Sequence, residues 1–127
     1  MNKRDLDPII DRFLAAWTSQ EVGRVLDCYT EDLIYCDPNT RGMVEGRDAM
    51  GRYLSKLFAA WEMTWSNRSF YELKGDDGAA FLWHATFKRP GRELIVQADG
   101  MDLALLRGDK ICRNEVYFDR TVLAPLM

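Results

Sequence analysis

Histidine is almost missing from this chain: 127 residues contain one, His84. The three cysteines, Cys28, Cys36 and Cys112, are an odd number, far apart and without a C-x-x-C pair. Such a set makes neither a zinc site nor a disulfide framework. It fits a reducing compartment, and the cytoplasm is the expected location. Positive charge is in deficit, with 17 Lys plus Arg against 20 Asp plus Glu and a formal charge of −3. No nucleic-acid partner is expected, because that binding runs on clustered cations. Long apolar runs are also lacking; Ala79-Ala80-Phe81-Leu82-Trp83 is among the longest. No membrane association is therefore expected. The start, Met1-Asn2-Lys3-Arg4-Asp5, turns acidic at once and has no apolar signal segment. No glycine-rich loop precedes a helix at the spacing that cradles phosphates, so the cofactor expectation is none.

What is present suits one globular domain spanning residues 1–127, with 47% hydrophobic residues and no linker or repeat. Asp7-Pro8 reads as a helix start, with Asp7 capping and Pro8 at the first helical position. Ile9, Phe13, Ala16 and Trp17 then recur at helical spacing. A second helix is expected from Gln20 to about Tyr29, capped by Ser19. A strand follows from Leu33 to Asp37, then a turn-rich loop, Pro38 to Gly42. The third helix, after Gly46-Arg47-Asp48, carries Met50, Tyr53, Leu54, Leu57, Phe58 and Trp61 as its apolar stripe. Beyond it the period falls to two. Strands are expected over Ser69–Lys74, Ala79–Lys88, Glu93–Leu106 and Lys110–Asp119, joined by tight turns. Helices first and an antiparallel meander after them is an α+β plan.

Alternation places Phe81, Trp83, Ala85 and Phe87 on one face of their strand, and Leu82, His84 and Thr86 on the other. Neither face is fully polar, so helices should cover one and a second copy of the chain the other. His84 falls on the outer side and reads as structural.

The chemically informative feature is carboxylates inside apolar strands: Asp37 closes Leu33-Ile34-Tyr35-Cys36, and Asp102 sits within Met101-Asp102-Leu103-Ala104-Leu105. A carboxyl group buried in such surroundings needs hydrogen bonds or a proton, and a raised pKa makes it an acid or base near neutral pH. The ordinary alternatives are that Asp37 caps the Pro38 turn and Asp102 pairs with an arginine. Asn114 shares the parity of Val116 and Phe118, which points it inward. Asp119 is either catalytic or paired with Arg113 or Arg120.

Leu33-Ile34-Tyr35-Cys36-Asp37-Pro38, then Val44-Glu45-Gly46-Arg47-Asp48-Ala49-Met50, resembles the signature of the SnoaL-like group of the nuclear transport factor 2-like superfamily. The ending from Asp109 to Asp119 is of the same type. The resemblance implies a cone, a strongly bent sheet with three N-terminal helices on its concave face. It also implies a small hydrophobic ligand. The ketosteroid isomerase pattern within that superfamily places a catalytic base at Asp37-Pro38 and a protonated oxyanion donor at Asp102. Its second donor, a first-helix tyrosine, is replaced here: the stretch reads Arg12-Phe13-Leu14-Ala15-Ala16. Losing one such donor typically costs a factor of about 10²–10³ in rate. Tyr35 or Tyr53 could stand in. The limonene epoxide hydrolase pattern fits less well, with Val116 where its aspartate would fall and no arginine in Gly100-Met101-Asp102. The polyketide cyclase pattern needs an aspartate, for which Asp119 is the candidate, and a histidine; His84 is on an unexpected strand.

The resemblance therefore implies a cofactor-independent isomerase or cyclase for a small steroid- or polyketide-like carbonyl compound. Asp37, Asp102, Asn114 and Asp119 are the candidate catalytic residues. Phe13, Trp17, Tyr35, Tyr53 and Trp61 are candidate substrate contacts from the first half of the chain. Trp65, Phe81, Trp83, Val116 and Phe118 are those from the second. The alternative is a non-catalytic ligand-binding or association domain of the same fold.

Overall fold

A computed structural model describes residues 5–127. The first four residues, part of the start read above, lie outside the described residues. The chain runs α1 (Asp7–Ser19), α2 (Val22–Leu26), β1 (Tyr29–Cys36), β2 (Val44–Glu45) and α3 (Arg47–Ala60). It continues β3 (Glu62–Glu72), β4 (Gly78–Lys88), β5 (Val96–Arg107), β6 (Lys110–Tyr117) and a 3₁₀ helix, Arg120–Leu126. The six strands form one sheet in the order β2-β1-β6-β5-β4-β3. Strands β3 to β6 are the expected meander, but β1 pairs parallel to β6. That pairing joins the two ends of the chain, and no local pattern encodes it.

Several expected boundaries move. Asp7 lies inside the first turn of α1 and donates its backbone N–H to the Asp5 carboxylate, so it does not cap. The second helix stops at Leu26, and Tyr29 opens β1 with its side chain buried. β3 begins at Glu62 and not at Ser69, because Met63, Trp65 and Asn67 alternate inward from the end of α3. The C-terminal 3₁₀ helix was not expected; it buries Leu123 and Leu126 against the core.

β4 shows why the sheet curls around a core. Ala79, Phe81, Trp83, Ala85 and Phe87 are buried in strict alternation, with Leu82, His84 and Thr86 outward. Each buried aromatic contributes roughly 150–250 Å² of burial to the fold. α1 closes over β3 with Phe13, Ala16 and Trp17, while α3 packs on α2 and β1 with Met50 and Leu54. Gln20 fixes this joint in a left-handed conformation (φ 55°). Its side chain donates to the Trp61 carbonyl at 2.8 Å and accepts from the Met63 N–H at 2.6 Å, tying α1 to the α3–β3 corner. On the outer face His84 contacts Asp99 and Gln97, at 2.7 and 3.0 Å. Asp99 also pairs with Arg68.

A buried carboxyl in an aromatic chamber

Between α1 and the sheet lies a chamber walled by Phe13, Leu14, Trp17, Tyr35, Trp65, Trp83, Val116 and the Asp102 carboxyl. Its free volume is about 20 Å³, which accommodates one or two water-sized groups at roughly 10–15 Å³ each. The rings fill the rest. Trp17 stacks on Tyr35 at 5.8 Å between centroids, and Trp65 meets Trp17 and Trp83 edge-on at 6.0 and 4.8 Å.

Asp102 is 4% exposed and, among the described residues, pairs with no arginine. One oxygen accepts from the Trp83 indole N–H at 2.7 Å, the other from the Asn114 amide at 2.9 Å. The Asn114 carbonyl oxygen accepts in turn from the Tyr29 hydroxyl at 2.8 Å, which fixes the amide so that its NH₂ faces Asp102. Burial dominates the acid's chemistry and pushes its pKa up to about 7. The two N–H donors oppose that rise, and the charge of Asp37 adds to it.

Asp37 sits at the exit of β1. One of its oxygens accepts from the Asn39 and Thr40 backbone N–H groups at 2.7 and 3.1 Å, closing the Pro38 turn. The other accepts from the Tyr35 hydroxyl at 2.6 Å and from the Tyr53 hydroxyl. Turn closure and a tyrosine clamp therefore coexist on one carboxylate. Burial and the Asp37 charge hold both phenols above the ordinary tyrosine range. Tyr35 joins this cluster to the chamber, whose wall it forms.

The structure thus gathers Phe13, Trp17, Tyr35, Trp65, Trp83, Asp102 and Val116 around one space, with Asn114 behind Asp102 and Asp37 and Tyr53 behind Tyr35. It leaves others apart. Asp119 is exposed and caps the 3₁₀ helix by accepting from the Thr121 N–H at 2.9 Å. It pairs with neither arginine considered for it: Arg113 bonds Glu115, and Arg120 bonds Asn39. Trp61 packs on Phe87 under the Arg89 guanidinium, 3.8 Å from its ring centre. Phe81 meets Phe13 and faces a separate small gap under α1, and Phe118 lies behind Trp83 and Phe87. Tyr29 was missed as a site residue because its helical spacing from Val22 and Val25 masked a strand start.

Among the described residues there is no cluster of three or more His, Cys, Asp or Glu side chains suited to a metal. Nor is any described helix long and apolar enough to cross a membrane.

A family model for the SnoaL-like domain matches residues 10–114. The chain belongs to the SnoaL-like family. No curated protein matches it in sequence. Solved structures share the fold at low identity. A Catenulispora acidiphila protein with a ketosteroid isomerase-like fold, in complex with trimethylamine, is 19% identical with a TM-score of 0.82, covering 94% of this chain and 92% of its own. TerC, co-crystallised with polyporic acid, is 18% identical at TM-score 0.79, with 94% and 95% covered. A provisionally named polyketide cyclase from Silicibacter sp. TM1040 is 14% identical at 0.76, with 96% and 94% covered. At such identities the likeness establishes this SnoaL-like chain's fold and leaves its chemistry to its own residues.

Proposed function

We propose that this SnoaL-like chain is a cofactor-independent enzyme of isomerase or cyclase type, acting on a small hydrophobic carbonyl compound by aspartate-mediated proton transfer. The observation that carries the reading is Asp102, a buried carboxyl in a largely aromatic chamber, poised between its two protonation states near neutral pH. Neutral, it donates a hydrogen bond to a carbonyl oxygen. Asp37 takes the proton alpha to that carbonyl: the C–H bond breaks, its electron pair moves into the enolate, and the charge settles on the oxygen held by Asp102. Returning the proton to another carbon gives an isomerase; attack of the enolate carbon on a second carbonyl gives a cyclase. Asn114 positions Asp102, and Tyr35 and Tyr53 orient Asp37. The rings of Trp17, Trp65 and Trp83 would hold the substrate's apolar body.

The test is a thermal-shift screen of planar carbonyl compounds and phenols on wild type and Asp102→Leu. A ligand at about a hundred times its dissociation constant stabilises by roughly 2.7 kcal/mol, a clear rise in melting temperature. For a carbonyl compound that binds, Asp37→Asn should slow deuterium uptake at its alpha carbon about 10²–10⁴-fold. Unchanged uptake in both variants would sink the reading.

The small free volume and Phe13 favour a second reading, a non-catalytic ligand-binding or association domain of the same fold. That reading predicts binding without proton exchange. In either case we place the protein in the cytoplasm as a single domain over residues 1–127. A homodimer is formed through the outer sheet face, where Leu82, Met101, Leu103 and Leu105 are only half-covered.

A further inference from the structure

Asn114 stands behind Asp102, fully buried on β6. Its amide nitrogen donates to the Asp102 carboxyl at 2.9 Å and to the Leu103 carbonyl at 3.1 Å. A backbone carbonyl accepts and never donates, so Leu103 identifies that edge of the amide as the NH₂. The opposite edge is therefore the amide carbonyl. Its one donor among the described residues is the Tyr29 hydroxyl, at 2.8 Å. Tyr29 is buried at the start of β1, with its ring edge-on to Phe13 at 5.8 Å between centroids. Burial holds this phenol well above the ordinary tyrosine range, against the opposing effect of the Trp17 indole N–H. The hydroxyl thus keeps its proton at neutral pH and points it at Asn114.

We propose that Tyr29 is a positioning residue of this site: by engaging the Asn114 carbonyl it keeps that amide from taking the Asp102 proton, which stays available to a ligand. The inference deepens the proposed function and rests on its reading of Asp102 as the acid. Both partners of Asp102, the Trp83 indole and the Asn114 amide, are donors. When the acid is neutral, its own proton therefore has no acceptor among the described residues. Asn114 is the group that can change this. Turned over, its carbonyl would face Asp102 and accept that proton. Two neighbours oppose the turn, the Leu103 carbonyl from one edge and the Tyr29 hydroxyl from the other. Without the hydroxyl, a buried carbonyl is left unpaired, which is costly in a dry site. The Asp102 proton is then the donor within its reach. A hydrogen bond made by the neutral form also disfavours ionisation. Loss of the Tyr29 hydroxyl thus both withdraws the proton from the chamber and holds it on the acid.

The test is a pH titration of the Asp102 side-chain carboxyl by ¹³C NMR, with Asp102→Asn to assign its signal. Tyr29→Phe keeps the ring and removes the hydroxyl alone. In that variant the midpoint should rise from about 7 by about one pH unit, tenfold in the ionisation constant and the scale of one lost hydrogen bond. In an Asn114→Ala background the same substitution should move the midpoint no further, because Tyr29 acts through the amide. Apart from each other, the ionisable groups that act on Asp102 and Tyr29 are Asp37 and Cys28, and the substitution alters neither. A loss of packing would lower stability and leave the midpoint in place. The wild-type chain supplies a second readout if the variant folds poorly: the Asn114 amide and Tyr29 ring-carbon signals should both follow the Asp102 titration. A midpoint unmoved by Tyr29→Phe, or Tyr29 signals that do not follow it in wild type, overturns this inference and leaves the proposed function to its deuterium-uptake test. Titration of wild-type Asp102 in the ordinary carboxylate range overturns both.

Discussion

Asp102 makes the protein's stability depend on pH in an unusual direction. Its folded pKa of about 7 lies above the unfolded value of roughly 3.9. Between those values the folded chain holds a proton that the unfolded chain has released. Stability therefore falls as pH rises from about 4 to about 7 and levels off above, a loss on the order of 4 kcal/mol from this group. The carboxylates held low (Asp32, Asp99, Glu115 and Asp119) act in the opposite sense, but only below the ordinary carboxylate range. Urea denaturation from pH 5 to 8 should thus show a downward slope in wild type that Asp102→Asn flattens. Parallel curves would mean that Asp102 is ionised throughout. The aspartate pair was legible in the sequence, because a carboxyl inside an apolar strand is an anomaly on its own. Its partners were not: an alternation pattern says that Asn114 and Trp83 face inward, and nothing local says that both reach one carboxyl.

The elements hold the chamber open at one point by leaving a side chain out. Gly100 on β5 pairs directly with Trp83 on β4, and a methyl group there would lie 2.5 Å from the ring and 2.7 Å from the Tyr117 carbonyl. Trp83 is fully buried and has nowhere to retreat. Gly100→Ala should therefore destabilise the fold by about 1–3 kcal/mol, the usual cost of overpacking, measured by chemical denaturation. Trp83→Phe should recover part of that loss in the double variant, since the two sites touch and their effects cannot add. Additive losses would show that the clash is relieved elsewhere. At this scale the sequence supplied most element types and their faces. It did not supply the start of β3, which follows α3 with no glycine or proline between them to mark the change, or the 3₁₀ helix, whose Pro125 and shortness leave no periodic signal.

At the scale of the molecule, the proposed dimer rests on the sheet's outer face. Leu82, Met101, Leu103 and Leu105 make an apolar centre, bordered by the Arg113–Glu115 ion pair and the exposed Tyr117. Light scattering should return twice the 14.7 kDa chain mass. Leu103→Glu should reduce it to one chain with the circular dichroism unchanged, because the side chain points away from the core. A monomeric wild type at micromolar concentration would remove the dimer from the proposal.

The sequence by itself determined the α+β class and the buried face of β4, because hydrophobic period and turn residues act over a few neighbouring positions; the family followed from the resemblance of its motifs. The sequence also marked Asp37 and Asp102 as out of place. Only the tertiary structure decided that β1 runs parallel to β6, that Asp119 is a surface cap, and that Trp17, Trp65 and Trp83 wall one small chamber beside Asp102. These depend on pairings across tens of residues, where the partner is chosen by how the whole sheet curls and not by the residues on either side.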